Sequence, residues 1–172
     1  MPITTKTGDN GSTSLLYGGR VRKNSPRIEI CGVLDELSSY LGLSKSLLKS
    51  RRQKDVISKI QKDLMVICSE VSTRIPAAHK LRKRIDREDI KDLELFIEKL
   101  EKKRKLKKAV FILPGENTLS ATLDVARTVA RKAERRMITL KDKRMMRNRY
   151  IPIYLNRLSD LLYLLARSHE KR

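Results

Sequence analysis

A chain of 172 residues is the length of one domain, and it can bury a hydrophobic core without disulfide or metal staples. Its 40 Lys and Arg against 20 Asp and Glu leave a net charge of +20, while 40% of the residues are hydrophobic. That hydrophobic share excludes a disordered basic tail and places the charge on a folded surface that suits polyanions, whether nucleic acid, an anionic membrane or a polyphosphate ligand.

The first 25 residues carry two Gly-rich turns, Gly8 to Gly11 and Gly18-Gly19, with the short apolar stretch Leu15 to Tyr17 between them, and read as an ordered arm or loop. Ser25-Pro26 supplies an N-cap and a proline at the first helical position. Ile30, Leu34, Leu37, Leu41 and Leu48 then recur on one face of a helix over about 26–49. Its other face is small and polar, with Cys31, Asp35, Ser38, Ser39 and Gly42 at helical spacing.

A second helix over about 53–74 carries Val56, Ile57, Ile60, Leu64, Ile67 and Val71 and ends before Pro76. A basic connection over 77–85 leads to Asp86, which caps a third helix to about 105, with Ile90, Leu93, Ile97 and Leu100 inward. Ala109 to Leu113, closed by Pro114-Gly115, reads as an extended stretch. The fourth helix, about 118–140, has the sharpest seam, Leu123, Ala126, Ala130, Ala133, Met137 and Leu140. After a basic loop over 141–149, a last helix to about 169 presents Leu155, Leu158, Leu162 and Leu165.

The expected fold is all-α: an antiparallel five-helix bundle, ferritin-like in layout, over 26–170, preceded by the arm of 1–25 within a single domain of 1–172. No apolar run approaches the ~20 residues that span a bilayer, and no signal-peptide core opens the chain, so a cytoplasmic protein is expected. Cys31 and Cys68 are too few and too far apart for a disulfide framework or zinc site and read as core thiols. His79 and His169 stand outside every candidate site and read as solvent-exposed.

Three constellations could carry chemistry. Thr5-Lys6-Thr7-Gly8-Asp9-Asn10-Gly11-Ser12-Thr13-Ser14, with Lys23 downstream, has the composition of a phosphate loop: glycines free the backbone N–H groups, hydroxyls add donors, Lys6 and Lys23 add charge, and Asp9 offers a carboxylate to Mg²⁺. It is not a Walker A motif, so an ordinary polar arm remains the alternative.

Arg127, Arg131, Glu134 and Arg135 form one stripe of the fourth helix beside its apolar seam. Either salt bridges to Asp35, Asp124 and Asp160 neutralise it, or a bound triphosphate does. Asn156, Ser159 and Asp160 share a face of the last helix and suit helix–helix hydrogen bonding or a ligand. A basic helical nucleic-acid-binding module is the rival reading, but the chain lacks a helix-turn-helix signature and has two Phe, five Tyr and no Trp with which to stack bases.

Five blocks in register, Thr5 to Gly11, Asp35-Glu36-Leu37, Phe111 to Gly115, Arg131-Lys132-Ala133-Glu134-Arg135-Arg136 and Leu155 to Asp160, resemble the PduO-type ATP:cob(I)alamin adenosyltransferases over nearly the whole chain. The resemblance implies a homotrimer with active sites between subunits, transfer of the 5′-deoxyadenosyl group of ATP to cob(I)alamin, and Mg²⁺ on the phosphates with Glu134 as a candidate ligand. It implies ATP contacts from Thr5, Lys6, Thr7, Gly8, Thr13, Ser14, Lys23, Arg131, Lys132, Ala133, Glu134, Arg135 and Asn156. Asp35 would pair with Arg127 across the subunit boundary, and Phe111 would displace the lower axial ligand of the corrinoid. A corrinoid reductase is the implied partner, with no specific nucleic acid and no membrane. The chain departs from the family pattern at Glu116, where a second Gly is common, at Asp124, where a His is common, and at Lys132, the usual second Arg.

Overall fold

The computed structural model describes residues 4–103 and 112–171. Among them are five long helices: α1 Pro26–Leu47, α2 Arg51–Val71, α3 Arg87–Lys103, α4 Thr118–Asp142 and α5 Tyr150–Ser168. α1 packs between α2 and α4, and α5 packs between α4 and α3. Short connections make α1 and α2, and α4 and α5, antiparallel neighbours.

The apolar periodicity is what buries these helices. Leu123, Ala126, Ala130, Ala133, Met137 and Leu140 of α4 are fully buried, as are Leu155, Leu158 and Leu162 of α5. The alanines of the α4 seam keep side-chain volume small where α4 packs on its neighbours α1 and α5, and larger residues there would cost ~1–3 kcal/mol in overpacking.

Helix ends follow local chemistry more than apolar pattern. Asp86 Oδ1 accepts from the N–H groups of Glu88 and Asp89 and so opens α3 as the sequence suggests. Asn117 and Ser120 form a reciprocal capping box at the start of α4. Ser25 occupies the N-cap position of α1, but its side chain makes no capping hydrogen bond; its carbonyl accepts from Ile28 and Glu29 instead. Pro152 falls in the first turn of α5, where a missing N–H costs no intrahelical bond.

Two features depart from the expected layout. Residues 12–14 and 20–22 form a small antiparallel hairpin, β1 Ser12–Ser14 and β2 Arg20–Arg22, with Thr13 opposite Val21. A short 3₁₀ helix, Ile75–Lys80, leads into the basic connection. Of the predicted extended stretch, 109–111 lies outside the described residues, while 112 and 113 are non-helical.

A buried polar cluster fixes one end of the bundle. The Arg27 guanidinium donates to the carbonyls of Val71, Thr73 and Met145, joining α1 to the ends of α2 and α4. Burial lowers its pKa, and Arg74 nearby lowers it further. Glu70 accepts from the Ile85 N–H at 2.7 Å and from Asn148 Nδ2, which ties the two irregular connections together. The arm is mounted at this end, with Leu16 N–H donating to the Ser72 carbonyl and Tyr17 Oη donating to the Lys80 carbonyl.

Candidate active site

The arm has its own internal framework. Asp9 N–H donates to the Lys6 carbonyl, Gly11 N–H to the Gly8 carbonyl, and Lys23 N–H to the Gly11 carbonyl, so the chain doubles back on itself. Lys6 and Gly11 sit at φ 55° and 76°, a region in which the Gly11 backbone is unstrained. A Cβ on Gly8 would lie 3.1 Å from Lys23 Nζ, so the glycine lets that ammonium reach the loop. Thr5, Lys6, Thr7, Ser14 and Lys23 are exposed along it, with Gly8 and Thr13 half-buried.

Arg20 was not among the residues singled out from sequence, yet it holds the loop together. Its guanidinium donates to the Thr7 carbonyl at 2.7 Å and to Ser12 Oγ at 2.6 Å, with a longer contact to Asn10 Oδ1. Asn10 Oδ1 also accepts from the Ser12 N–H and hydroxyl. The register Ser14 opposite Arg20 delivers this side chain to the loop, a signal visible once the hairpin is recognised.

On α4 the arginine stripe divides. Arg127 pairs with Asp124 at 3.0 Å, and the same buried carboxylate also holds Arg167 of α5. Arg131 and Arg135 are exposed and have no carboxylate partner among the described residues. Glu134 is turned toward α5 and accepts from Asn156 Nδ2 at 3.2 Å. Lys132 and Arg136 face α1, where they pair with Glu36 at 2.5 Å and Glu29 at 2.9 Å. Ala133 is fully buried in the seam of α4.

Of the three carboxylates considered as partners for the stripe, Asp124 alone takes that role. Asp160 pairs with Arg157, which also reaches Glu94 of α3. Asp35 is exposed on α1 and does not meet Arg127 within the chain. Ser159 is buried and donates to the Asn156 carbonyl.

A cavity of about 590 Å³ is lined by Arg127 and Arg131 of α4, Glu94 and Glu98 of α3, and Asp160 and Tyr163 of α5. No hydrogen bond or ion pair links the arm to Arg131, Glu134, Arg135 or Asn156 among the described residues. One chain therefore carries the two cationic elements separately. Phe111 lies outside the described residues. His169 differs from expectation: it is half-buried, and burial lowers its pKa.

Compared with known protein families, the chain matches the family described as Cobalamin adenosyltransferase over residues 3–169. It belongs to that family. A corrinoid adenosyltransferase of Citrobacter freundii is 37% identical, across 98% of this chain and 94% of the relative. The corrinoid adenosyltransferase PduO of the same organism is 36% identical, and the chain spans about half of that longer protein. Among solved structures, a variant of the PduO-type ATP:corrinoid adenosyltransferase of Lactobacillus reuteri, complexed with cobalamin and ATP, superposes with a TM-score of 0.86. It is 33% identical and covers 96% of this chain and 89% of its own.

As a cobalamin adenosyltransferase, the chain accommodates its three departures locally. Asp124 stands in a buried ion pair between α4 and α5. Glu116 accepts from the Lys171 N–H at 2.5 Å, beside Gly115 at φ 112°. Lys132 pairs with Glu36 at the surface, a point charge sufficing where no bidentate fork is formed.

Proposed function

We propose that this chain transfers the 5′-deoxyadenosyl group of ATP to the cobalt of a Co(I) corrinoid, releasing triphosphate, at sites completed between the subunits of a homotrimer. The observation that carries the reading is the pair Arg131 and Arg135, exposed and without carboxylate partners among the described residues, in a chain of this family. Cations left unpaired beside a packing seam suit a ligand of high negative charge.

Co(I) is itself the nucleophile: its electron pair forms the Co–C bond as the bond from C5′ to the triphosphate oxygen breaks. The protein then needs neither a nucleophile nor a general base. Its tasks are positioning and stabilisation of charge on the leaving group. Lys6, Lys23, Arg131 and Arg135 supply that charge, while Thr5, Thr7, Gly8, Thr13 and Ser14 shape the loop over the phosphates. Asn156 orients Glu134 through the bond already present.

The donor set fits a Mg²⁺ held chiefly by the phosphates. Among the described residues no group of three His, Cys, Asp or Glu could hold a metal ion, and Glu134 is the acid inside the clamp stripe. When bound, Mg²⁺ would neutralise and orient the triphosphate oxygens. Lys132 reaches a phosphate by releasing Glu36.

The separation of arm and clamp on one chain supports completion of the site by a neighbouring subunit, and the exposed Asp35 is free to meet a neighbour's Arg127 equivalent. Phe111 follows α3 in sequence and is assigned to the lower face of the corrin. A corrinoid reductase supplies Co(I), and the cytoplasm is the expected location; no helix among the described residues is long and apolar enough to cross a membrane.

The test is direct: the protein is mixed anaerobically with ATP, Mg²⁺ and chemically reduced cobalamin, and absorbance is followed for adenosylcobalamin. Formation of product at a rate proportional to enzyme is expected, and its absence under strict reduction overturns the assignment.

A further inference from the structure

Cys31 and Cys68, read from the sequence as core thiols, pack at the edge of the hydrophobic core. Both are free and half-buried, one on α1 and the other on the adjacent α2. The Ser72 hydroxyl, just past the end of α2, lies 3.2 Å from Cys31 Sγ and 4.0 Å from Cys68 Sγ. The Ser72 hydroxyl therefore bridges the two thiols. Tertiary packing thus gathers two sulfurs and a hydroxyl into one small network at the α1–α2 contact.

We propose that Cys31 and Cys68 form an oxidative modification site, closing to an intramolecular disulfide between α1 and α2 when the reduced protein meets a low-molecular-weight disulfide such as oxidised glutathione.

The network polarises the pair. Interaction with Cys31 lowers the Cys68 pKa; burial and the Asp35 charge oppose this, and Ser72 adds to the lowering. Cys31, which keeps its proton and is itself desolvated, is pushed up. The direction of these shifts makes Cys68 the attacking sulfur and Cys31 the resolving one.

Its sulfur attacks one sulfur of oxidised glutathione, the S–S bond breaks, and one glutathione thiolate leaves. Cys31 then passes its proton to a departing thiolate and attacks the Cys68 sulfur of the mixed disulfide, expelling the second glutathione. Two protein thiols are oxidised to one disulfide, and one oxidised glutathione is reduced to two thiols. Asp35 lies one helical turn beyond Cys31, and its charge acts on Cys68, so the bond would form beside a residue of the proposed subunit contact.

The experiment uses the full-length reduced protein with excess oxidised glutathione near neutral pH, followed by an acid quench, alkylation and intact mass measurement. The expected product is lighter by two hydrogens, takes up no alkylating agent, and yields one cross-linked peptide containing both cysteines. Cys31→Ser should stop at a glutathione adduct on Cys68, whereas Cys68→Ser should react at least ~10-fold more slowly. Peptide mapping of partial alkylation in the unsubstituted protein orders the two thiols without any variant, and Cys68 should be modified first. A stable glutathione adduct on the unsubstituted protein, thiols that react only after denaturation, or Cys31 modified first would overturn the proposal.

Discussion

The arm and the clamp segment of α4 are both cationic but are held in shape by opposite means. Residues 1–25 hold four basic residues and one acidic residue, and 127–136 hold five and one. On α4 the cations are fixed by a helix whose Ala126, Ala130 and Ala133 are fully buried, so their geometry exists before any ligand arrives. In the arm, Leu15 is the buried apolar side chain of the hairpin region, and shape comes from turns and from Arg20. A preformed clamp stabilises charge at little reorganisation cost, whereas a loop held by few hydrogen bonds orders over its ligand at an entropic cost.

Several substitutions separate these roles. Arg131→Ala should have the largest effect, lowering kcat by roughly 10²–10³-fold with an unchanged melting temperature, since the side chain is exposed and unpaired among the described residues. Single-turnover kinetics beside thermal melts would check it, and a loss of folding would show that α4 is not the independent scaffold described here.

Lys23→Ala should act mainly through ATP affinity, raising KM about 10-fold, the scale of one charge-assisted hydrogen bond. A kcat loss as large as that of Arg131→Ala would erase the distinction between arm and clamp. Arg20→Ala removes the residue that gathers Thr7, Asn10 and Ser12. It should raise KM for ATP several-fold while leaving kcat and global stability intact, and proteolysis within residues 5–20 should accelerate. Equal cleavage rates would show that the loop does not depend on that guanidinium.

The smallest expected effect concerns stability away from the site. Burial of Asp89 would raise its pKa, but the Lys83 ammonium and the Asp86 N–H more than offset this, so its carboxyl is held below the usual carboxylate range. A depressed folded-state pKa gives stability that is complete above the unfolded value of ~3.9 and is lost as pH falls through the lower folded value. Asp89→Asn should therefore lower the melting temperature near neutral pH, with the gap to the unsubstituted protein narrowing as pH drops below about 4. A gap that does not change with pH would mean that the ion pair contributes nothing beyond packing.

The helices were legible because burial repeats at helical spacing. The seam of α4 and the leucines of α5 are the buried residues that the pattern names. The hairpin was not legible, because Ser-Thr-Ser and Arg-Val-Arg are too short and too polar to show alternation, and with it Arg20 was missed. The Arg127–Asp124 pair sits at an i,i+3 spacing that the sequence displays, yet Asp35 and Asp160 looked equally able to fill that place.

Taken by itself, the sequence determined a helical bundle, a Gly-rich polar arm, an arginine stripe and the family, because periodicity and motif spacing are one-dimensional properties. Only the tertiary structure decided which charges are spent. Asp124 is shared by Arg127 and Arg167, Lys132 and Arg136 are drawn to α1, and Arg131 and Arg135 are left without carboxylate partners among the described residues. It also decided that Cys31 and Cys68 meet at Ser72. Pairing depends on which helix faces lie together, and residues far apart in sequence become neighbours only when the bundle packs.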